Sequence, residues 1–233
     1  IDKPLKDVSA LEKIQTKPGD AIALRAGTYN IAEEGIKIKF VGEPTQPVKI
    51  FAYEGEKVIL DHGTTYEELK KMVAEGMKPG PKNGHYYPLS SVRGKYLVIE
   101  GLTFTGCLEN CMLYAGSHNI IKDNTFIGGG EENIKTITGS SDVLVLNNDF
   151  SGFMNEAIDI FGAHRAYIVG NKFHDNDASL RVTSPAIWAK AGAKDVSYLN
   201  NEFYNLDVNI HAMVLGGCCW HNWDGKNSDG SLK

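Results

Sequence analysis

Apolar and polar positions alternate with a period of two through short segments of this chain, and the segments recur. Residues 96–100, 119–122, 142–146, 165–169 and 195–199 each read as a strand. Four of them precede a triplet of the form Asn-x-Phe: Asn124-Thr125-Phe126, Asn148-Asp149-Phe150, Asn171-Lys172-Phe173 and Asn201-Glu202-Phe203. Leu102-Thr103-Phe104 is a degenerate earlier copy, and from Phe104 the phenylalanines advance by 22, 24, 23 and 30 residues. After each triplet a variable polar stretch leads to a second β-rich segment ending in glycine, over residues 112–116, 134–139, 157–162, 186–192 and 212–217. Three strands per repeat without an intervening helix, and without the L-x-x-L-x-L pattern of leucine-rich repeats, predict an all-β solenoid. The expected fold is a single-stranded right-handed parallel β-helix of about six coils, each burying its inward side chains against the coils on either side.

The recurrent residues have structural roles in such a stack. Asn124, Asn148, Asn171 and Asn201 are expected to form a ladder of amides at one turn, where asparagine tolerates left-handed geometry and bonds its own backbone. Phe126, Phe150, Phe173 and Phe203 are expected to stack inside as an aromatic column. Gly116, Gly139, Gly162 and Gly192 would supply the positive φ of the other tight turn.

Departures from the period mark the ends and one insertion. Helical spacing over residues 8–14, within a cap spanning residues 1–20, predicts a helix that closes the open end of the core. Within an insertion over residues 63–89, Thr65-Tyr66-Glu67-Glu68 reads as a capping box opening a helix to about Gly76, which Lys78-Pro79-Gly80-Pro81 ends. Residues 218–233 are polar, glycine-rich and outside the repeat, so either this tail crosses the far end or the chain continues. All 233 residues are thus expected to form one β-helix domain.

Composition narrows the function. The 42% apolar content can fill a sizeable core, and 29 acidic against 24 basic residues, without a basic block, leave no electrostatic footprint for nucleic acid. No apolar run approaches the ~18 residues of a membrane span. The opening Ile1-Asp2-Lys3-Pro4 lacks the apolar core of a signal peptide, so the chain reads as a mature form without its leader. The cysteines, Cys107, Cys111, Cys218 and Cys219, fit neither a paired zinc pattern nor a dense disulfide scaffold, which leaves buried thiols or one disulfide open.

Residues 18–29, Pro-Gly-Asp-Ala-Ile-Ala-Leu-Arg-Ala-Gly-Thr-Tyr, resemble the PGDxIxLxxGxY opening of secreted polysaccharide lyases of the chondroitinase B and alginate lyase kind. The Asn-x-Phe coils are similar to the same superfamily. The resemblance implies a secreted or periplasmic, carbohydrate-active protein acting on an acidic polysaccharide, with calcium as the usual cation. That superfamily also holds hydrolases and non-enzymatic proteins, because fold does not determine function.

Loops over residues 128–133, 151–156, 174–185 and 204–209 vary most, and in a repeat protein such loops gather on the binding face. Aligning residues 157–161 with 186–190 turns Ile158, Ile160, Ile187 and Ala189 inward. Asp159, Phe161, Trp188 and Lys190 then share the outer face, with Trp188 and Phe161 as sugar platforms. A uronate lyase must neutralise a carboxylate, remove the proton α to it and expel the glycosidic oxygen. Lys190 is the expected base, with Arg181 or His211 beside it to hold charge or to lower its pKa. Asn155, Glu156, Asp159, Asp175 and Asp177 are the oxygen donors expected for Ca2+. His164 and Arg165, at the glycine turn, are weaker candidates for substrate binding. A glycoside hydrolase would instead need two carboxylates about 5 to 9 Å apart, and Asp159 with Asp175 or Asp177 is the candidate pair. The third reading is a non-catalytic carbohydrate-binding or structural module.

Overall fold

The computed structural model describes residues 7–31, 35–75, 89–176, 185–207 and 211–216. Its strands form three parallel sheets of seven strands each, and successive strands in a sheet come from successive coils. The first sheet includes Ser117–Lys122, Ser141–Leu146, His164–Val169 and Lys194–Leu199. The second includes Thr125–Gly129, Asp149–Phe153, Lys172–His174 and Glu202–Tyr204. The third, which carries the expected chemistry, includes Met112–Tyr114, Ile134–Thr136, Ile158–Phe161, Ile187–Lys190 and Met213–Leu215. The expected β-helix is therefore present.

The phenylalanines stack in register from Phe104 through Phe126, Phe150 and Phe173 to Phe203. Their ring centroids lie 4.8 to 5.0 Å apart with nearly parallel planes. This spacing is the interstrand distance of a sheet, so identical residues at one register position must stack. The asparagine ladder also forms, by a different mechanism from the one expected. Each amide group donates to the side-chain oxygen of the next asparagine, from Asn124 to Asn148 at 3.0 Å, Asn148 to Asn171 at 3.0 Å and Asn171 to Asn201 at 3.1 Å. Each also donates to a first-sheet carbonyl of the preceding coil, those of Ile99, Ile121, Val145 and Ile168. The left-handed residues are the ones just before the ladder: Asp123, Asn147, Gly170 and Asn200. The ladder asparagines thus tie coils together, and Asn171 in addition donates to the Val169 carbonyl of its own coil.

At the glycine turn, Gly139, Gly162 and Gly192 have positive φ as expected. Gly116 does not, and its requirement is space: a Cβ there would lie 2.4 Å from the Gly94 carbonyl oxygen.

At the first end, Val8–Lys13 forms a 3-10 helix capped by Asp7, with Val8 and Leu11 buried against the core. Glu12 accepts a hydrogen bond from the Lys37 backbone, which ties this helix to the third sheet. In the insertion, Thr65 and Glu68 close the expected capping box, Glu68 N–H donating to Thr65 Oγ1 and Thr65 N–H to Glu68 Oε2. They open the helix Tyr66–Ala74. The breaker expected at residues 78–81, Gly76 and the tail 218–233 lie outside the described residues.

Candidate functional site

On the third sheet Ile158 pairs with Ile187, Asp159 with Trp188, Ile160 with Ala189 and Phe161 with Lys190. This is the alignment read from sequence, so Asp159, Phe161, Trp188 and Lys190 do share one face. One coil earlier Lys135 sits in register with Asp159. In the loops that enter the sheet, Glu132 and Glu156 occupy equivalent places, because Asn133 N–H donates to the Glu156 carbonyl as Cys111 N–H donates to that of Glu132.

These side chains form one alternating chain of charge. Lys135 Nζ lies 2.9 Å from Glu132 Oε1 and 3.0 Å from Asp159 Oδ2. Lys190 Nζ lies 3.3 Å from the same Asp159 oxygen and 3.0 Å from Glu156 Oε1. The Asn110 amide donates to Glu132 Oε2 at the far end. Lys190 Nζ also sits 4.2 Å from the centroid of the Trp188 ring, whose Nε1–H is fixed by the Gly216 carbonyl. Lys135 Nζ is 6.0 Å from the Phe161 ring.

The cluster is buried, with Asp159 at 0%, Glu156 at 1%, Glu132 at 3% and Lys190 at 7% exposure. Three carboxylates against two ammonium groups leave one unit of negative charge in excess, and burial makes that excess costly. Burial, reinforced by the charge of Glu132, accordingly pushes the Glu156 carboxyl up to about 7 against the pull of Lys190. Asp159 is raised too, chiefly by burial. Burial alone would lower Lys135 and Lys190, but the surrounding carboxylates outweigh it and raise both above an ordinary lysine.

Lys190 is buried, and among the described residues the carboxylates around it raise its pKa, where a lowered one was expected. Among its expected neighbours, His211 is an exposed residue just before the strand Met213–Leu215, and Arg181 lies outside the described residues. Of the expected oxygen donors, Glu156 and Asp159 come together and Asn155 directly precedes Glu156 in its loop. Asp175 does not join them: it follows the second-sheet strand Lys172–His174, with its carboxylate on His174 Nδ1 at 2.7 Å. Asp177 lies outside the described residues. The two carboxylates of the candidate hydrolase pair are thus engaged separately, Asp159 by Lys135 and Lys190 and Asp175 by His174. His164 and Arg165 belong to the first sheet, beyond the glycine turn, where Arg165 is held by both carboxylate oxygens of Asp142. That ion pair places Arg165 on a sheet other than the one that carries Trp188 and Lys190.

Glu132, Lys135 and Asn110 were not anticipated. Extending the alignment one coil back, Ile134-Lys135-Thr136 over Ile158-Asp159-Ile160, carries the signal for Lys135. Asn110 depends on the loop that the Cys107–Cys111 disulfide closes, with Cα atoms 5.3 Å apart, and the sequence spacing left that bond open.

A family model described as Pel9A-like, right handed beta helix region, matches residues 1–181. Among solved structures, an alginate lyase from Paenibacillus sp. str. FPU-7 superposes with a TM-score of 0.65 at 19% identity, over 94% of this chain and 75% of that one. Pectate lyase Pel9A superposes with a TM-score of 0.53 at 15% identity, over 86% of this chain and 58% of that one. At these identities the likeness is one of fold. No curated protein matches this chain in sequence.

Proposed function

Because the chain belongs to the Pel9A-like right-handed β-helix family, we propose that it cleaves a uronate-bearing polysaccharide by β-elimination on the outer face of the third sheet. The observation that carries this reading is the largely buried chain Glu132, Lys135, Asp159, Lys190 and Glu156, which joins two lysines to a protonatable carboxylate and sets Lys190 beside the Trp188 indole.

β-Elimination next to a carboxylate needs positive charge for that carboxylate and a base for the α proton. Lys135, partly open to solvent and held above an ordinary lysine, supplies the lasting positive charge. Lys190 is charged in the free protein and must lose a proton before it can act as a base. Glu156, which titrates near 7 and lies 3.0 Å away, is placed to accept it. Transfer converts an ammonium–carboxylate pair into an amine–carboxylic acid pair without changing the net charge, so a buried site favours it more than water would. The amine then takes the α proton. The carbon–oxygen bond to the leaving sugar breaks as the double bond forms, and the regained proton passes from Lys190 to the departing oxygen.

A calcium ion at this cluster would draw on Glu132, Glu156 and Asp159, whose hard oxygens suit it. The lysines already pair with one oxygen of each carboxylate, so the ion would compete with the ammonium groups for them. No step above passes through a metal. The Cys107–Cys111 disulfide supports placing the protein in an oxidising compartment, secreted or periplasmic.

The test is incubation with alginate, polygalacturonate and chondroitin polymers. Ultraviolet absorbance of an unsaturated uronate product is expected from at least one of them. New reducing ends without that absorbance would replace the lyase by a hydrolase, and binding without either signal would leave a non-catalytic module.

A further inference from the structure

A cavity lies at the ends of the second-sheet strands, and its lining includes none of the residues of the lysine cluster. In three coils the second-sheet strands reach the same register at Thr105, Ile127 and Ser151, followed by Gly106, Gly128 and Gly152. In the next coil His174 pairs with Ser151, and Asp175 takes the turn. All four turn residues have positive φ. At Gly128 a Cβ would meet nothing within 4 Å, and at Gly152 only the Gly128 backbone, at 3.5 Å or more. Two successive turns thus present bare backbone as a flat floor. The helix Tyr66–Ala74, anchored by the buried Leu69, stands over that floor as a wall. Together they border an open cleft of about 390 Å³, whose lining includes Tyr66, Leu69, Thr105, Ile127, Ser151 and His174.

That volume falls within the usual range of small-ligand sites. Tyr66, Leu69 and Ile127 offer apolar surface, and the hydroxyl-bearing residues Thr105 and Ser151 line the same cavity. His174 stacks on Tyr204 with centroids 4.7 Å apart, and its two nitrogens are taken by Asp149 at 3.0 Å and Asp175 at 2.7 Å. Those carboxylates disfavour an anionic ligand, and their commitment to His174 leaves a cation no free counter-charge. A ring with an apolar face and a hydroxyl-bearing edge, and with no charge, fits all of these surfaces. We propose that this cavity is a second glycan subsite that takes an uncharged pyranose unit. It rests on the reading of the protein as carbohydrate-active, but not on catalysis at Lys190.

Saturation-transfer NMR and titration calorimetry with cellotetraose, mannotetraose and tetragalacturonate test it. At least one neutral tetraose is expected to bind, and Ile127→Trp, which fills the cavity from an exposed strand position, should weaken it by about tenfold or more. Thr105→Val should weaken the same sugar if the filled variant fails to fold by circular dichroism. Absence of neutral-sugar binding at about 10 mM overturns the proposal, as does unchanged affinity in a folded Ile127→Trp. Competition by tetragalacturonate at equal affinity would overturn the assignment of an uncharged ligand. Neutral-sugar binding lost in Ile127→Trp, in a protein that turns over no uronate polymer, would uphold this subsite and remove the lyase reading. Turnover with no neutral-sugar binding would do the reverse.

Discussion

Lys190 shows why a residue's neighbours matter more than its type. An outward lysine on a solvated strand can be replaced for under about 0.5 kcal/mol. Here the ammonium holds Glu156 and Asp159 in a buried site, and removing one partner of a buried pair costs about 3 to 5 kcal/mol. Lys190→Ala should therefore lower the denaturation midpoint clearly, as well as reducing lyase turnover by about 10² to 10⁴-fold. Chemical denaturation beside initial rates checks both, and an unchanged midpoint would mean that the pair contributes nothing to folding. Glu156 gives a prediction with a sign. Its folded pKa of about 7 exceeds the ordinary value of 4.5, so between these values the folded protein binds the proton that the unfolded chain has released. Its contribution is present in full below about 4.5 and is lost as pH rises through about 7. Glu156→Gln should flatten that part of the melting-temperature profile. A wild-type profile that rises from pH 4.5 to 7 by the same amount in the variant would contradict the assignment.

At the scale of the element, the columns carry the energy. Phe150 is fully buried between Phe126 and Phe173, so Phe150→Ala should cost about 3 to 5 kcal/mol. A loss below about 1 kcal/mol in urea titration would be incompatible with a core position. The Cys107–Cys111 bridge closes a short loop, for which the chain-entropy model gives about 2 kcal/mol. Cys107→Ser with Cys111→Ser should lose about that much stability. The same change should also reduce turnover, because the closed loop carries Asn110, whose amide holds Glu132. Stability lost without any change in rate would detach Asn110 from the site.

For the whole molecule, a stack of coils predicts unequal stability along its length, since each coil is held by its neighbours. Inward positions of Ser141–Leu146, such as Val143 and Val145, are fully buried, whereas Val196 and Tyr198 in Lys194–Leu199 are only partly so. Amides of Lys194–Leu199 should exchange with solvent faster than those of Ser141–Leu146, and equal rates would indicate a single cooperative unit. Chelation is expected to leave the melting temperature unchanged, because each carboxylate of the cluster already has a lysine as its partner. A fall of several degrees with chelator, restored by calcium, would show that the ion belongs to the folded state.

The repeat was legible because a β-helix writes its geometry into sequence: a coil of fixed length returns Phe104, Phe126, Phe150, Phe173 and Phe203 to one register position. The same periodicity placed Asp159, Phe161, Trp188 and Lys190 on one face, since alternation in a strand decides the side of every residue. What alternation cannot supply is depth. Only the packed structure shows that Lys190 is buried, that Lys135 of the preceding coil reaches Asp159, and that Asp175 and Arg165 are engaged elsewhere. Those facts depend on loop paths and on which charges meet across coils, and both are settled by tertiary contacts that no local pattern encodes.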